Sequence, residues 1–129
     1  MATHRTVLSV DPFDLPEWLG TSQVVWTAQS SIRGSHLVTG DLTGSGEQIT
    51  CDLLAVDQAF PLPVLDEEWR RTVHQSWTHE QVLLMEYDGR MTLAVPGTTF
   101  TADLVLETLA RLAKAVGVSP AQFVAALRL

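Results

Sequence analysis

Alternation of apolar and polar residues predicts three strands in the first half of the chain. In "SQVVWTAQS", Val24, Trp26 and Ala28 alternate with Gln23, Val25 and Thr27, and the runs "SHLVTGDLTG" and "QITCDLLAVD" repeat this period of two. The glycines of "TGSGE" indicate a hairpin loop between the second and third runs. Gly40, inside the second run, indicates a bulge. Together the runs predict an antiparallel meander.

A second hairpin is predicted at Asp88-Gly89, which separates the apolar runs of "QVLLMEYDGRMTLAVPG". A type I′ turn requires positive φ at both central residues, and Asp-Gly is a common pair there. This turn places Leu84 opposite Leu93. Strand 81–87 is apolar on both faces, so we expect it to be central or to face a second apolar layer.

The segment between the hairpins predicts a helix after a proline-rich connection. Asp66 is a suitable N-cap, and acidic residues follow it in the first turn. Trp69, Val73 and Trp77 then recur at i, i+4 and i+8, on one face of a helix over 66–77.

The C-terminal segment predicts two more helices. The first has Thr101 as its N-cap, a broad apolar stripe, and Gly117 at the left-handed stop position. Ser119 then caps a short final helix with Pro120 at its first position. Phe123 and Leu127 are expected to point inward.

The opening segment "DPFDLPEWLG" is broken by prolines and predicts one short helical turn at 16–19. We expect it to pack as an arm, either over an edge of the core or onto a partner subunit.

This order of elements predicts an α+β fold. The expected architecture is a five-stranded antiparallel sheet in β-β-β-α-β-β-α order, with the helices on one face. A chain of 129 residues is expected to form one domain, spanning 1–129.

Composition narrows the function classes. Hydrophobic residues make up 46% and charged residues 18%, as in a globular protein, and 15 acidic against 8 basic residues give a net charge of −7. The basic residues are scattered, which argues against nucleic-acid and membrane-surface binding. No signal peptide is recognised and no apolar run approaches the roughly 18 residues of a membrane span, so we expect a cytoplasmic protein.

The helix–turn–helix pattern of "LAKAVGVSPAQFVAAL" does not change this picture. A recognition helix needs polar side chains that reach base edges, whereas the second half of this pattern is mostly Ala, Val and Leu. A DNA-binding regulator is therefore the third and least favoured hypothesis.

No catalytic, metal or cofactor motif is found. His74 and His79 are five residues apart, which does not place them on one helical face, and Cys51 has no neighbouring Cys or His. Cys51 lies in mid-strand, where a free cysteine behaves as a small hydrophobe. The sequence predicts no catalytic residue, no metal ligand and no cofactor.

The leading functional hypothesis rests on two predicted apolar surfaces. The second face of strand 81–87 offers Leu83, Met85 and Tyr87, and the polar helix 66–77 offers Trp69 and Trp77. Such residues are enriched at interfaces. We therefore expect a non-enzymatic protein- or peptide-interaction module that forms a homodimer.

The alternative hypothesis is a small-ligand-binding protein or enzyme. Its pocket would lie between the sheet and helix 66–77, and would need convergent polar groups such as His36, Asp52 or His74. The sequence does not show whether these three residues meet.

Two resemblances accompany these predictions. The phrases "SVDPFDLPEWLG" and "CDLLAVD" resemble a small family of actinobacterial proteins to which no activity is assigned, so they imply no site residues. The order of elements, after a short N-terminal helix, is similar to the type III secretion chaperone-like fold. That likeness is one of architecture and implies no particular function.

Overall fold

The computed structural model describes residues 7–57 and 65–129, and shows an α+β protein. The strands are β1 (Val7–Ser9), β2 (Val24–Ala28), β3 (Leu37–Val38), β4 (Gly40–Gly44), β5 (Glu47–Thr50), β6 (Asp52–Val56), β7 (Leu83–Tyr87), β8 (Arg90–Pro96) and β9 (Phe123–Ala126). The helices are α1 (Trp18–Thr21), α2 (Glu67–Thr78) and α3 (Ala102–Ala115), and single 3₁₀ turns cover Pro12–Asp14 and Pro120–Gln122. The predicted proline-rich connection before α2 falls on residues 58–64, outside the described residues.

The strands form two sheets, so the prediction of one antiparallel sheet is wrong. The first sheet has five strands in the order β1-β7-β8-β6-β3, and the second has four in the order β5-β4-β2-β9. Both are mixed, because β6 runs parallel to β8 and β2 runs parallel to β9. The second sheet arises because the second and third predicted strands each bend and contribute to both sheets.

The bend occurs where β3 passes into β4 at Thr39 and where β5 passes into β6 at Cys51. The Cys51 N–H donates to the Gly40 carbonyl at 2.9 Å, and the Trp26 indole N–H donates to the Cys51 carbonyl at 2.9 Å. A Cβ on Gly40 would lie 2.6 Å from the Trp26 ring. The glycine that indicated a bulge therefore lets a buried indole pack against the corner between the sheets.

The predicted final helix is also wrong. Pro120–Gln122 forms a 3₁₀ turn, and Phe123–Ala126 forms β9. Phe123 points inward, as expected, and Val124 points outward. This alternation has period two, but a short apolar run does not separate strand from helix by periodicity alone. The segment that would form the second helix of a helix–turn–helix is therefore a 3₁₀ turn and a strand.

The local signals for turns and caps are confirmed. Asp88 and Gly89 have φ values of 58° and 75°, and Leu84 pairs with Leu93. The side chains of Asp66 and Thr101 cap α2 and α3 by accepting hydrogen bonds from backbone N–H groups in the first turn of each helix.

The five-stranded sheet is covered on both faces, as the apolar pattern of strand 81–87 indicates. One face packs with α3 and the four-stranded sheet around a large core that includes Trp26, Leu93 and Leu109. The other face packs beneath α2 in a smaller cluster that includes Val73 and Met85. The expectation that all helices lie on one face is therefore wrong, because each apolar face of the sheet needs its own cover.

Candidate ligand-binding groove

The predicted interaction surface on the second face of β7 is largely covered. Met85 is fully buried and Tyr87 nearly so, in the cluster beneath α2. Leu83 is half-buried. A partner could reach Met85 or Tyr87 only if α2 moved away.

The two tryptophans of α2 lie in different surroundings. Trp69 packs against the smaller cluster and Trp77 against the large core, and both are half-buried. The guanidinium of Arg111, from α3, stacks 3.5 Å from the centroid of the Trp77 ring. Trp77 therefore joins the end of α2 to α3.

Of the three polar residues of the alternative hypothesis, Asp52 lies at the opposite end of β6 from His74. Asp52 lies at the start of β6, is 3% exposed, and accepts hydrogen bonds from Arg90 Nε and Nη2 at 2.8 and 2.9 Å. These bonds raise the pKa of Arg90 above its usual value. His74 lies beside the other end of β6, where its Nε2 is 3.0 Å from the Val56 carbonyl oxygen, and His36 is exposed.

The other candidate groups are structural as well. Cys51 is fully buried, and this burial raises the pKa of its thiol far above the usual range. Within 7–57 and 65–129, no group of three or more His, Cys, Asp or Glu residues is arranged to hold a metal ion. None of the helices in those two ranges has the length and apolar character needed to cross a membrane.

A groove of about 500 Å³ lies between the end of α2, the start of β7 and α3. Its lining combines apolar residues with polar and charged ones: Ser9, Val10, Pro12, Ser76, His79, Glu80, Gln81, Val82, Leu83, Leu84, Arg111, Lys114 and Ala115. A second hollow of about 380 Å³ shares Glu80, Arg111 and Lys114 with it. The groove therefore continues across α3.

Two basic residues of α3 line this groove, and their side chains differ in how firmly they are held. Arg111 is fixed, because its Nη1 donates to the carbonyls of Trp77 at 2.7 Å and Gln81 at 3.3 Å, and its Nη2 donates to Glu107. Lys114 is 72% exposed, and its Nζ lies 3.9 Å from a carboxylate oxygen of Glu80, which is 80% exposed. Since such a solvated pair is weak, Lys114 is available to a ligand.

Glu80 has an unusual backbone conformation for its residue type. Its φ is +60°, in the left-handed region that favours glycine. The Gln81 N–H donates to the Ser76 carbonyl at 2.9 Å, which completes the hydrogen-bonding motif that commonly ends a helix with glycine. A side chain in this conformation costs about 1 kcal/mol, and such local strain is often found at functional sites.

Sequence reasoning did not find the groove residues Glu80, Arg111 and Lys114. Arg111 and Lys114 look like ordinary surface positions of an amphipathic helix, and Glu80 follows α2 with no glycine to mark the stop. No family model, curated protein or solved structure matches this chain. The resemblances to the actinobacterial family and to the chaperone-like fold stay predictions.

Proposed function

We propose that this protein is a non-enzymatic protein- or peptide-interaction module, and that the groove beside α2 and α3 is its binding site. The single observation that carries the proposal is the groove itself, which combines apolar lining residues with a lysine available to a ligand. The proposal keeps the function expected from the sequence and moves the site away from Met85 and Tyr87.

The lining chemistry favours a segment that carries both an acidic and an apolar side chain. Val10 and Leu83, which are both partly exposed, supply apolar surface, and Lys114 supplies a cation. The chain as a whole has a net charge of −7, and in the groove Arg111 pairs with Glu107 while Lys114 makes only a long contact with Glu80, so Lys114 is the cation most accessible to a bound segment. At physiological salt, charges beyond about 8 Å are largely screened, so the acidic residues elsewhere in the chain do little to repel an acidic side chain that binds beside Lys114.

The strain at Glu80 gives independent support. A glycine at this position would remove it, whereas the carboxylate of Glu80 lies beside Lys114 at the centre of the continuous groove. We interpret the retained strain as a sign that this position serves the function of the groove.

The proposal is tested with two fluorescein-labelled peptides of equal length, one containing Glu and Phe and the other Lys and Phe. We expect fluorescence anisotropy to show tighter binding of the acidic peptide. Lys114→Glu should weaken that binding about tenfold, because a like charge replaces the cation at the rim.

Arg71→Glu is the matched control, since Arg71 is an exposed cation of α2 that pairs with Glu67 outside the groove. It changes the net charge by the same amount and should leave acidic-peptide binding within about twofold of wild type. Equal binding of both peptides, or equal losses in the two variants, would contradict the proposal.

A further inference from the structure

Phe13 is 95% exposed, an unusual state for a phenylalanine. An aromatic side chain of this kind buries roughly 150–250 Å² when it is covered, so its exposure leaves a large apolar surface in water. Exposed aromatic residues are typical anchors of protein interfaces.

The backbone holds Phe13 in a defined position. The Asp11 carboxylate accepts a hydrogen bond from the Phe13 N–H at 2.9 Å, and the Leu15 N–H donates to the Pro12 carbonyl at 3.2 Å. Pro12 restricts φ at the first position of the turn. Little conformational freedom of this backbone is lost on binding, which favours association.

The turn matches the groove in charge. Asp11 and Asp14 are exposed on either side of Phe13, so the turn presents an aromatic ring between two carboxylates. The groove presents the partly exposed apolar side chains of Val10 and Leu83 and the cation of Lys114. These are the acidic and apolar features that the proposed function requires of a ligand.

The turn and the groove are also neighbours on one surface. Pro12 lines the groove, whereas the next side chain, Phe13, lies in solvent and so does not occupy the groove of its own chain. When a ligand segment and its site are adjacent, a two-fold axis between two copies brings each segment to the other copy's site. Because each copy then provides one turn and accepts one turn, the assembly is complete with two subunits.

We infer that the groove takes the acidic turn at residues 11–14 of a second copy of this chain, with Phe13 against the apolar lining residues and an acidic side chain near Lys114. The result is a symmetric homodimer. This inference rests on the proposed function, because it uses the same groove, and it names the partner.

Sedimentation equilibrium from about 1 µM to about 1 mM tests the inference. We expect wild type to dimerise and Phe13→Ala to raise the dissociation constant about 30-fold, as for an interface hot spot. Leu129→Ala, which removes another exposed apolar side chain, should leave the constant within about twofold of wild type. Lys114→Glu should weaken the dimer, and adding Asp14→Lys to it should restore part of the loss.

A wild type that stays monomeric over this range, or a Phe13→Ala variant that dimerises like wild type, would overturn the inference. The peptide assay separates this failure from failure of the proposed function. If Phe13→Ala leaves the dimer intact while acidic-peptide binding still depends on Lys114, only the homodimer through this turn is lost. If the turn does occupy the groove, Phe13→Ala should bind the acidic peptide more tightly than wild type.

Discussion

The C-terminal ends of α2 and α3 adopt the same motif with different residues. In α3, Gly117 takes the left-handed conformation with φ of +83°, and the Val118 N–H donates to the Ala113 carbonyl at 2.9 Å. In α2, Glu80 takes that conformation, and Arg111 donates hydrogen bonds to the Trp77 carbonyl in the last turn and to the Gln81 carbonyl just beyond the helix. Local sequence is enough to end α3, whereas α2 relies on a side chain from another helix. The end that needs this support is the one that forms the groove.

Removing the support should have the largest effect. Arg111→Met keeps an apolar stem over Trp77 but loses the hydrogen bonds to the Trp77 and Gln81 carbonyls. We expect the free energy of unfolding to fall by about 2 kcal/mol, because hydrogen bonds from a charged donor are lost at a partly buried site. Urea unfolding followed by tryptophan fluorescence measures this change.

Lys114→Met is the control for Arg111→Met, one turn further along α3. Because Lys114 is largely exposed and its contact with Glu80 is long, this change should stay within about 0.5 kcal/mol of wild type. Equal losses in the two variants would mean that Arg111 does not specifically stabilise the end of α2.

The next prediction concerns Gly117 at the end of α3, which is replaced by glutamate, the residue type found at the equivalent position of α2. Gly117→Glu should lower the free energy of unfolding by about 1 kcal/mol, measured by the same urea unfolding. No atom lies within 4 Å of a Cβ built on Gly117, so the cost comes from the backbone conformation rather than from a clash. Gly20→Ala is the control. A Cβ on Gly20 would make an ordinary contact at 3.5 Å, and the φ of Gly20 is not in the left-handed region, so no such backbone cost is expected. A loss no larger in Gly117→Glu than in Gly20→Ala would contradict the assignment of strain to this position.

The same two helix ends show what the sequence could and could not predict. Gly117 and the caps Asp66 and Thr101 are confirmed because each acts through bonds to its own neighbours in the chain. Glu80 gives no such signal, because it is not a residue type that favours the left-handed conformation, and Arg111, which bonds to the neighbouring Gln81 carbonyl, is far away in sequence. The groove joins segments near residues 10, 80 and 112, and periodicity within one segment does not show that they meet.

The corner between the sheets escaped prediction for the same reason. The runs that bend at Thr39 and Cys51 alternate like ordinary strands, and their division between two sheets depends on Trp26 packing against Gly40. The sequence predicts a helix at β9 because β9 is a short apolar run whose strand geometry comes from pairing with β2.

The smallest effect is expected at Glu80, and it is a gain. Glu80→Gly should raise the free energy of unfolding by about 1 kcal/mol at most, because glycine adopts φ of +60° without strain, although its greater freedom in the unfolded chain offsets part of the gain. Glu80→Ala removes the same carboxylate but keeps a Cβ in the left-handed conformation, so its stability should stay near that of wild type. Thermal and urea unfolding of both variants separate the two causes. A gain in stability for Glu80→Gly alone would assign the effect to the backbone conformation. Equal gains for both variants would assign the effect to loss of the carboxylate, and would contradict backbone strain at Glu80.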